Sequence, residues 1–162
     1  MARFAFKAGE DFAVKLSQLA AKTDEVAIKA VKRGAGLLAD EVRSKLEALP
    51  EDRFRKLPDG EGFTGVPKGQ KRDLLEALGL TPVEIDTNGD YNAKVGFDGY
   101  GSYPTKTYPK GVPNQLVARA IESGSSVRQK HPFVRPAVQR AKEKAVEAMQ
   151  AVIDEEYEKI MK

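Results

Sequence analysis

Val83-Glu84-Ile85-Asp86-Thr87-Asn88-Gly89-Asp90-Tyr91-Asn92-Ala93-Lys94-Val95-Gly96-Phe97 is the stretch on which the fold turns. Val83 and Ile85 alternate with polar residues, as one face of a strand does. Asn88-Gly89 supplies the two positive-φ positions of a type I′ turn, and Tyr91, Ala93, Val95 and Phe97 then alternate again. Strand, tight turn and strand make a β-hairpin.

Helical periodicity surrounds that hairpin. On its N-terminal side, Lys71 to Leu78 reads as a short helix stopped by Gly79, a natural residue just past a helix end. Residues 50 to 72 read as a long loop of Pro, Gly and charge. A long helix precedes it, from Thr23, read as its N-cap, to about Leu49, with Asp24 and Glu25 in the first turn. Ala27, Val31, Ala35, Leu38, Val42, Leu46 and Leu49 form its apolar stripe, and Pro50 marks the stop. Gly34 and Gly36 each weaken it by roughly 1 kcal/mol relative to Ala and leave room for another backbone. Asp11 to Lys22 reads as a first helix, with Phe12, Leu16 and Leu19 on one side. Residues 2 to 8 read as a short strand.

On the C-terminal side, residues 98 to 113 form a second loop, carrying Tyr100, Tyr103 and Tyr108. Asn114 to Ser123 is amphipathic. It fits a helix capped by Asn114, and Val117 and Ile121 also suit a strand. After a loop from Gly124 to Pro132, a last helix begins with Pro136 in its first turn. Val134, Val138, Ala141, Ala145, Met149, Val152 and Ile160 are its stripe. The expected fold is α+β: a small antiparallel β-sheet, with the hairpin at Asn88-Gly89, packed against long N-terminal and C-terminal helices in one domain over residues 1–162.

Composition narrows the function. With 41% hydrophobic and 31% charged residues the chain is globular rather than disordered. No apolar run is long enough to span a membrane, and the first nine residues are not expected to act as a signal peptide. There are no cysteines, which excludes disulfides and thiolate metal sites. His131 is the single histidine, which excludes a multi-histidine site. The net charge of +3 is mild, since 27 basic residues face 24 acidic ones. A dedicated DNA-binding domain normally shows a larger, clustered excess.

Catalytic motifs are lacking. The chain has no phosphate-binding glycine loop and no Gly-x-Ser-x-Gly elbow. His131, between Lys130 and Pro132, reads as a loop or structural histidine rather than a triad base. Asp86, Asp90 and Asp98 flank the hairpin and offer oxygens to a divalent cation, although turn aspartates more often serve the turn itself. An enzyme and a cofactor are therefore not expected. Arg53, Arg55, Lys56, Lys68, Lys71 and Arg72 cluster on the first loop. They are either solvated or a contact for DNA or an acidic partner. Tyr100, Tyr103 and Tyr108 read equally as core or interface residues.

One region carries a resemblance. Leu116-Val117-Ala118-Arg119-Ala120-Ile121-Glu122-Ser123-Gly124-Ser125-Ser126, followed by His131-Pro132-Phe133-Val134-Arg135-Pro136-Ala137, resembles the tail-completion, or head–tail joining, proteins of lambda-like long-tailed phages. That family shows a hydrophobic segment, Glu-x-Gly-Thr/Ser, a short polar loop and a Pro-Phe-apolar-Arg-Pro-Ala signature opening its last helix. Pro50, Arg72-Asp73-Leu74 and Val95-Gly96 match the family's layout in order. The first loop is longer than is common there, and Ser125 stands where Thr is usual.

The resemblance implies a structural virion protein of the phage neck, made in the bacterial host cytoplasm. It would form a homo-oligomeric ring, with six copies matching tail symmetry. Its partners would be the head–tail connector and the tail terminator or tail tube proteins. Contact with the genome's leading end is the alternative function. Within the signature, Glu122, Gly124, His131, Pro132, Phe133, Arg135 and Pro136 are expected to be mainly structural, with Gly124 at positive φ and Glu122 pairing with Arg135. The contact residues are then sought in the two loops: Arg53, Arg55, Lys56, Lys68, Tyr100, Tyr103 and Tyr108.

Overall fold

The computed structural model describes residues 4–53 and 57–162. Its elements, in chain order, are α1 (Phe4–Ala21), α2 (Thr23–Glu47), β1 (Glu51–Asp52), β2 (Val66–Pro67), α3 (Lys68–Ala77) and β3 (Leu78–Leu80). They continue as β4 (Glu84–Ile85), β5 (Tyr91–Asn92), β6 (Val95–Phe97), α4 (Asn114–Ser123) and α5 (Val134–Met161). The fold is α+β, with small antiparallel pairs of strands set against long N- and C-terminal helices. No helix among the described residues is long and apolar enough to cross a membrane.

The N-terminus corrects the expected strand over residues 2 to 8. Helix α1 already runs from Phe4, while Ala2 and Arg3 lie outside the described residues. A brief alternation is a weak signal in a segment rich in Ala, Lys and Leu, which favour helix. Thr23 is not an N-cap either. Lys22 breaks the helix at φ −102°, and the Thr23 hydroxyl donates to the Leu19 carbonyl at 3.2 Å. With one residue between α1 and α2, the last turn of α1 supplies the acceptor.

Helices α2 and α5 pack antiparallel. Lys29 meets Glu156 at 3.3 Å near one end, and Glu41 meets Arg140 at 3.4 Å near the other. This contact rotates the buried face of α2 from the expected line of Ala27, Val31 and Ala35. Val26, Ala30 and Gly34 are buried instead, while Val42 and Leu46 are buried as expected. Gly34 shows why: a Cβ there would lie 2.7 Å from Cγ and Sδ of Met149. Gly36 has open space around it, so close packing explains only one of the two glycines. On α5, Ala137 and Ala141 are buried, while Val138, expected in the stripe, is 41% exposed.

The hairpin forms, with a different turn. Glu84 pairs with Asn92 and Ile85 with Tyr91. Only Gly89 is left-handed, at φ 85°, so the expected type I′ turn at Asn88-Gly89 is replaced by a three-residue loop, Thr87 to Gly89. The Asp86 carboxylate accepts the N–H groups of Asn88 at 2.8 Å and Asp90 at 3.0 Å, an aspartate-capped turn that leaves Asn88 unstrained.

The same ribbon continues inward as β3 and β6, with Leu78 opposite Phe97, Gly79 opposite Gly96 and Leu80 opposite Val95. Between the two ladders the register shifts by one residue at Pro82–Val83, a bulge where a proline cannot donate to the ladder. Gly79 therefore lies in a strand rather than after the end of α3. Leu78, which follows α3, is already extended at φ −67°, ψ 120°.

The core lies where the C-terminal half of α2 meets α3, β6, α4 and the start of α5. Leu46, Val66, Leu74, Ile121 and Phe133 are its fully buried side chains. Phe97 meets Phe133 edge to face at 6.0 Å. Segment 114–123 is helical. Pro113, not Asn114, occupies the N-cap position. Asn114 instead closes the second loop: its amide donates to the Asp98 carbonyl at 2.8 Å and its N–H to that of Gly99 at 3.0 Å.

Candidate interaction site

The signature residues meet at the junction of α4 and α5. Helix α5 opens at Phe133, which has no side-chain oxygen to cap it. Glu122, the penultimate residue of α4, does the capping. Its carboxylate accepts the N–H groups of Phe133 at 2.7 Å, Val134 at 2.8 Å and Arg135 at 3.1 Å. These are among the donors every helix N-terminus leaves unsatisfied, and the positive end of the helix dipole also favours a negative charge there.

The intervening chain is folded to deliver them. Gly124 turns at φ 80°, ψ 167°, and a Cβ there would lie 3.2 Å from Lys130. His131 donates its N–H to the Ile121 carbonyl at 2.7 Å. Its Nε2 is hydrogen-bonded to the Thr64 carbonyl, which requires Nε2 to carry the proton. Pro132 is exposed, Phe133 is 1% exposed, and Pro136 occupies the first turn of α5. The expected ion pair of Glu122 with Arg135 is long, 3.8 Å, and the Arg135 side chain is 82% exposed.

A second tie joins this junction to the first loop. Phe63 donates to the Val127 carbonyl at 2.9 Å and accepts from Gln129 at 3.0 Å. The Arg128 guanidinium lies 5.9 Å from the centre of the Phe63 ring, and its Nη2 donates to Gln70 Oε1 at 2.6 Å. Arg128 is buried, and desolvation lowers its pKa. Nothing in the polar run Ser125 to Lys130 singles this arginine out from the sequence.

The second loop reaches the start of α3. Tyr103 lies directly over Gly69, where an added Cβ would collide with its ring. Glu51, Asp52, Arg53, Lys68 and Tyr103 border an open cleft of about 800 Å³ between β1, the start of α3 and the second loop. Of the residues expected to touch partners, the structure brings Arg53, Lys68 and Tyr103 to this cleft. Arg55 and Lys56 lie outside the described residues. Tyr100 is 63% exposed, and Tyr108 is half-buried, its carbonyl accepting from Thr105 and Gly111.

Lys71 is not a surface contact. It is buried and donates to the Leu49 carbonyl at 2.9 Å. Asp73, also buried, holds the second loop by accepting the N–H of Ser102 at 2.7 Å and its hydroxyl at 2.8 Å. The Asp86 carboxylate is occupied by its turn. No cluster of three metal-binding side chains occurs among the described residues.

Two apolar grooves run along the β3–β6 ribbon. One, of about 530 Å³, faces α2 and α5. The other, of about 910 Å³, lies between the ribbon, α4 and the start of α5. The surface thus offers a mixed-charge cleft and two apolar grooves, one on either side of the ribbon. No protein-family model matches the chain, and searches of curated proteins and of solved structures find no significant match.

Proposed function

We propose that this chain is a structural protein of a tailed-phage or prophage neck. It acts as a tail-completion or head–tail joining component, in an oligomeric ring between the head connector and the tail. One observation supports this reading above the others. The residues that carry the resemblance converge on a single junction, where Glu122 caps α5 through three N–H groups and Gly124 makes the turn. The signature residues thus perform a structural task, while the two loops remain to meet partners. Deleting the gene from a phage that encodes it and imaging the lysate tests the proposal. Filled heads lying apart from finished tails are expected, and complementation restores joined particles. Normal joined virions from the deletion would refute it.

Contact with genomic DNA is the second reading, and charge distribution favours it. Residues 99–142 hold eight basic residues against one acidic residue, Glu122. This reading predicts duplex affinity that falls steeply with salt. No binding at low salt would remove it.

A further inference from the structure

Gly79 and Gly96 face each other across the β3–β6 ladder, both are exposed, and an added Cβ at either would meet nothing within 4 Å. Neither needs a left-handed backbone. Packing within the chain therefore gives no reason for glycine at these positions, and glycine weakens a strand. An approach from outside the chain gives one. The pair lies in the larger groove, beside Leu80, which is 43% exposed. Lys94, Arg119 and Arg135 rim that groove. Lys94 and Arg119 have no ion-pair partner among the described residues, and Glu122 is occupied by its cap.

The far half of α5 has the complementary pattern. Val146, Ile153 and Tyr157 are 55%, 42% and 43% exposed. Their spacing of seven and four residues puts them on one face of the helix. Glu143, Glu147, Asp154 and Glu158 run alongside at helical spacing, all exposed, and the first three have no ion-pair partner among the described residues. From residue 143 to the end there are six acidic residues against three basic ones, the reverse of residues 99–142.

The groove and this stripe cannot meet within one molecule. Arg135 and Ile153 lie on the same continuous helix, separated by about 27 Å along its axis. Each copy carries both halves of the match, so groove and stripe can join successive copies head-to-tail, the arrangement that closes into rings.

We propose that the acidic outer stripe of α5 docks in the Gly79–Gly96 groove of a neighbouring copy, with Lys94, Arg119 and Arg135 facing its carboxylates. The inference rests on the ring reading above and assigns it a surface.

The chain has no cysteine, so introduced thiols are unambiguous probes. Leu80→Cys and Ile153→Cys, made in separate preparations and mixed under mild oxidation, are expected to crosslink to each other. Neither variant alone should crosslink. Adding Lys94→Glu and Arg119→Glu to the first is expected to lower the yield roughly tenfold at low salt. Adding Glu147→Lys and Asp154→Lys to the second should then restore it. Circular dichroism checks that each variant is folded.

Absence of the mixed crosslink, in solution and in purified particles, overturns the proposal. So does a crosslink indifferent to the charge reversals, or self-crosslinking of either variant alone. If the reversals leave crosslinking unchanged but abolish binding of a duplex oligonucleotide, the rim serves nucleic acid and the proposal fails. A wild-type ring that persists without the crosslink refutes this surface alone. A chain that is monomeric both in solution and in virions refutes the ring as well.

Discussion

Replacing Glu122 with Ala removes the group that holds α5 to α4. Three N–H groups lose a charged acceptor at 2.7, 2.8 and 3.1 Å. Loss of an ordinary N-cap costs about 1 kcal/mol, and a hydrogen bond to a charged group contributes about 1.5–3 kcal/mol. The Glu122 side chain is only 11% exposed, so water reaches the freed donors poorly. About 3 kcal/mol is expected for Glu122→Ala, and about half of that for Glu122→Gln, which keeps one acceptor oxygen. For a chain of this size the alanine value corresponds to a fall in Tm of roughly 6 to 12 °C.

Arg135→Ala is the control, because its 3.8 Å contact is exposed and should contribute less than about 0.5 kcal/mol. Thermal melts at 222 nm, paired with urea titrations, measure each variant and the double mutant. If Glu122→Ala costs no more than Arg135→Ala, the capping argument is wrong. A large coupling between the two would return the main role to the ion pair.

The remaining predictions are smaller in scale. Gly36→Ala should stabilise the chain by about 0.5–1 kcal/mol, since the site is open and helical. Gly34→Leu should destabilise it by about 1–3 kcal/mol, because the new side chain enters the space of Met149; equal urea midpoints for the two would contradict the packing of α2 on α5. Gly124→Ala should cost about 2 kcal/mol through its backbone conformation alone, and a neutral result would deny that the turn is strained. Hydrogen bonds from Lys159 and then Lys29 hold the Glu156 carboxyl below its usual value of 4.5. Its contribution is therefore present above that pH and lost as pH falls through the depressed value. Glu156→Gln should be less stable than wild type near pH 7 and match it toward about pH 2, whereas a gap independent of pH would count against the assignment.

The long helices and the hairpin were legible because their signals are local. Val42 and Leu46 announced the core face of α2, and the alternation at Tyr91 to Phe97 announced a strand. Several of the failures involve a partner distant in sequence. Asn114 looked like a cap, yet its side chain bonds across the loop to Asp98. The face of α2 turned because α5 comes back along it. Glu122 looked like half of an ion pair with Arg135, whereas its carboxylate reaches the backbone of residues 133 to 135. Asn88-Gly89 misled differently: Asp86 caps the turn and so selects another geometry. Arg128 gave no signal at all, since a buried arginine in a polar run is recognised only once Phe63 and Gln70 are in place.

A place in the neck can be seen by cryo-electron microscopy of the particle that encodes this chain. A closed ring is expected between head connector and tail, each subunit showing the antiparallel α2–α5 pair and the β3–β6 ribbon. Neck density built wholly from other chains, with this one undetected by mass spectrometry in purified virions, would contradict it.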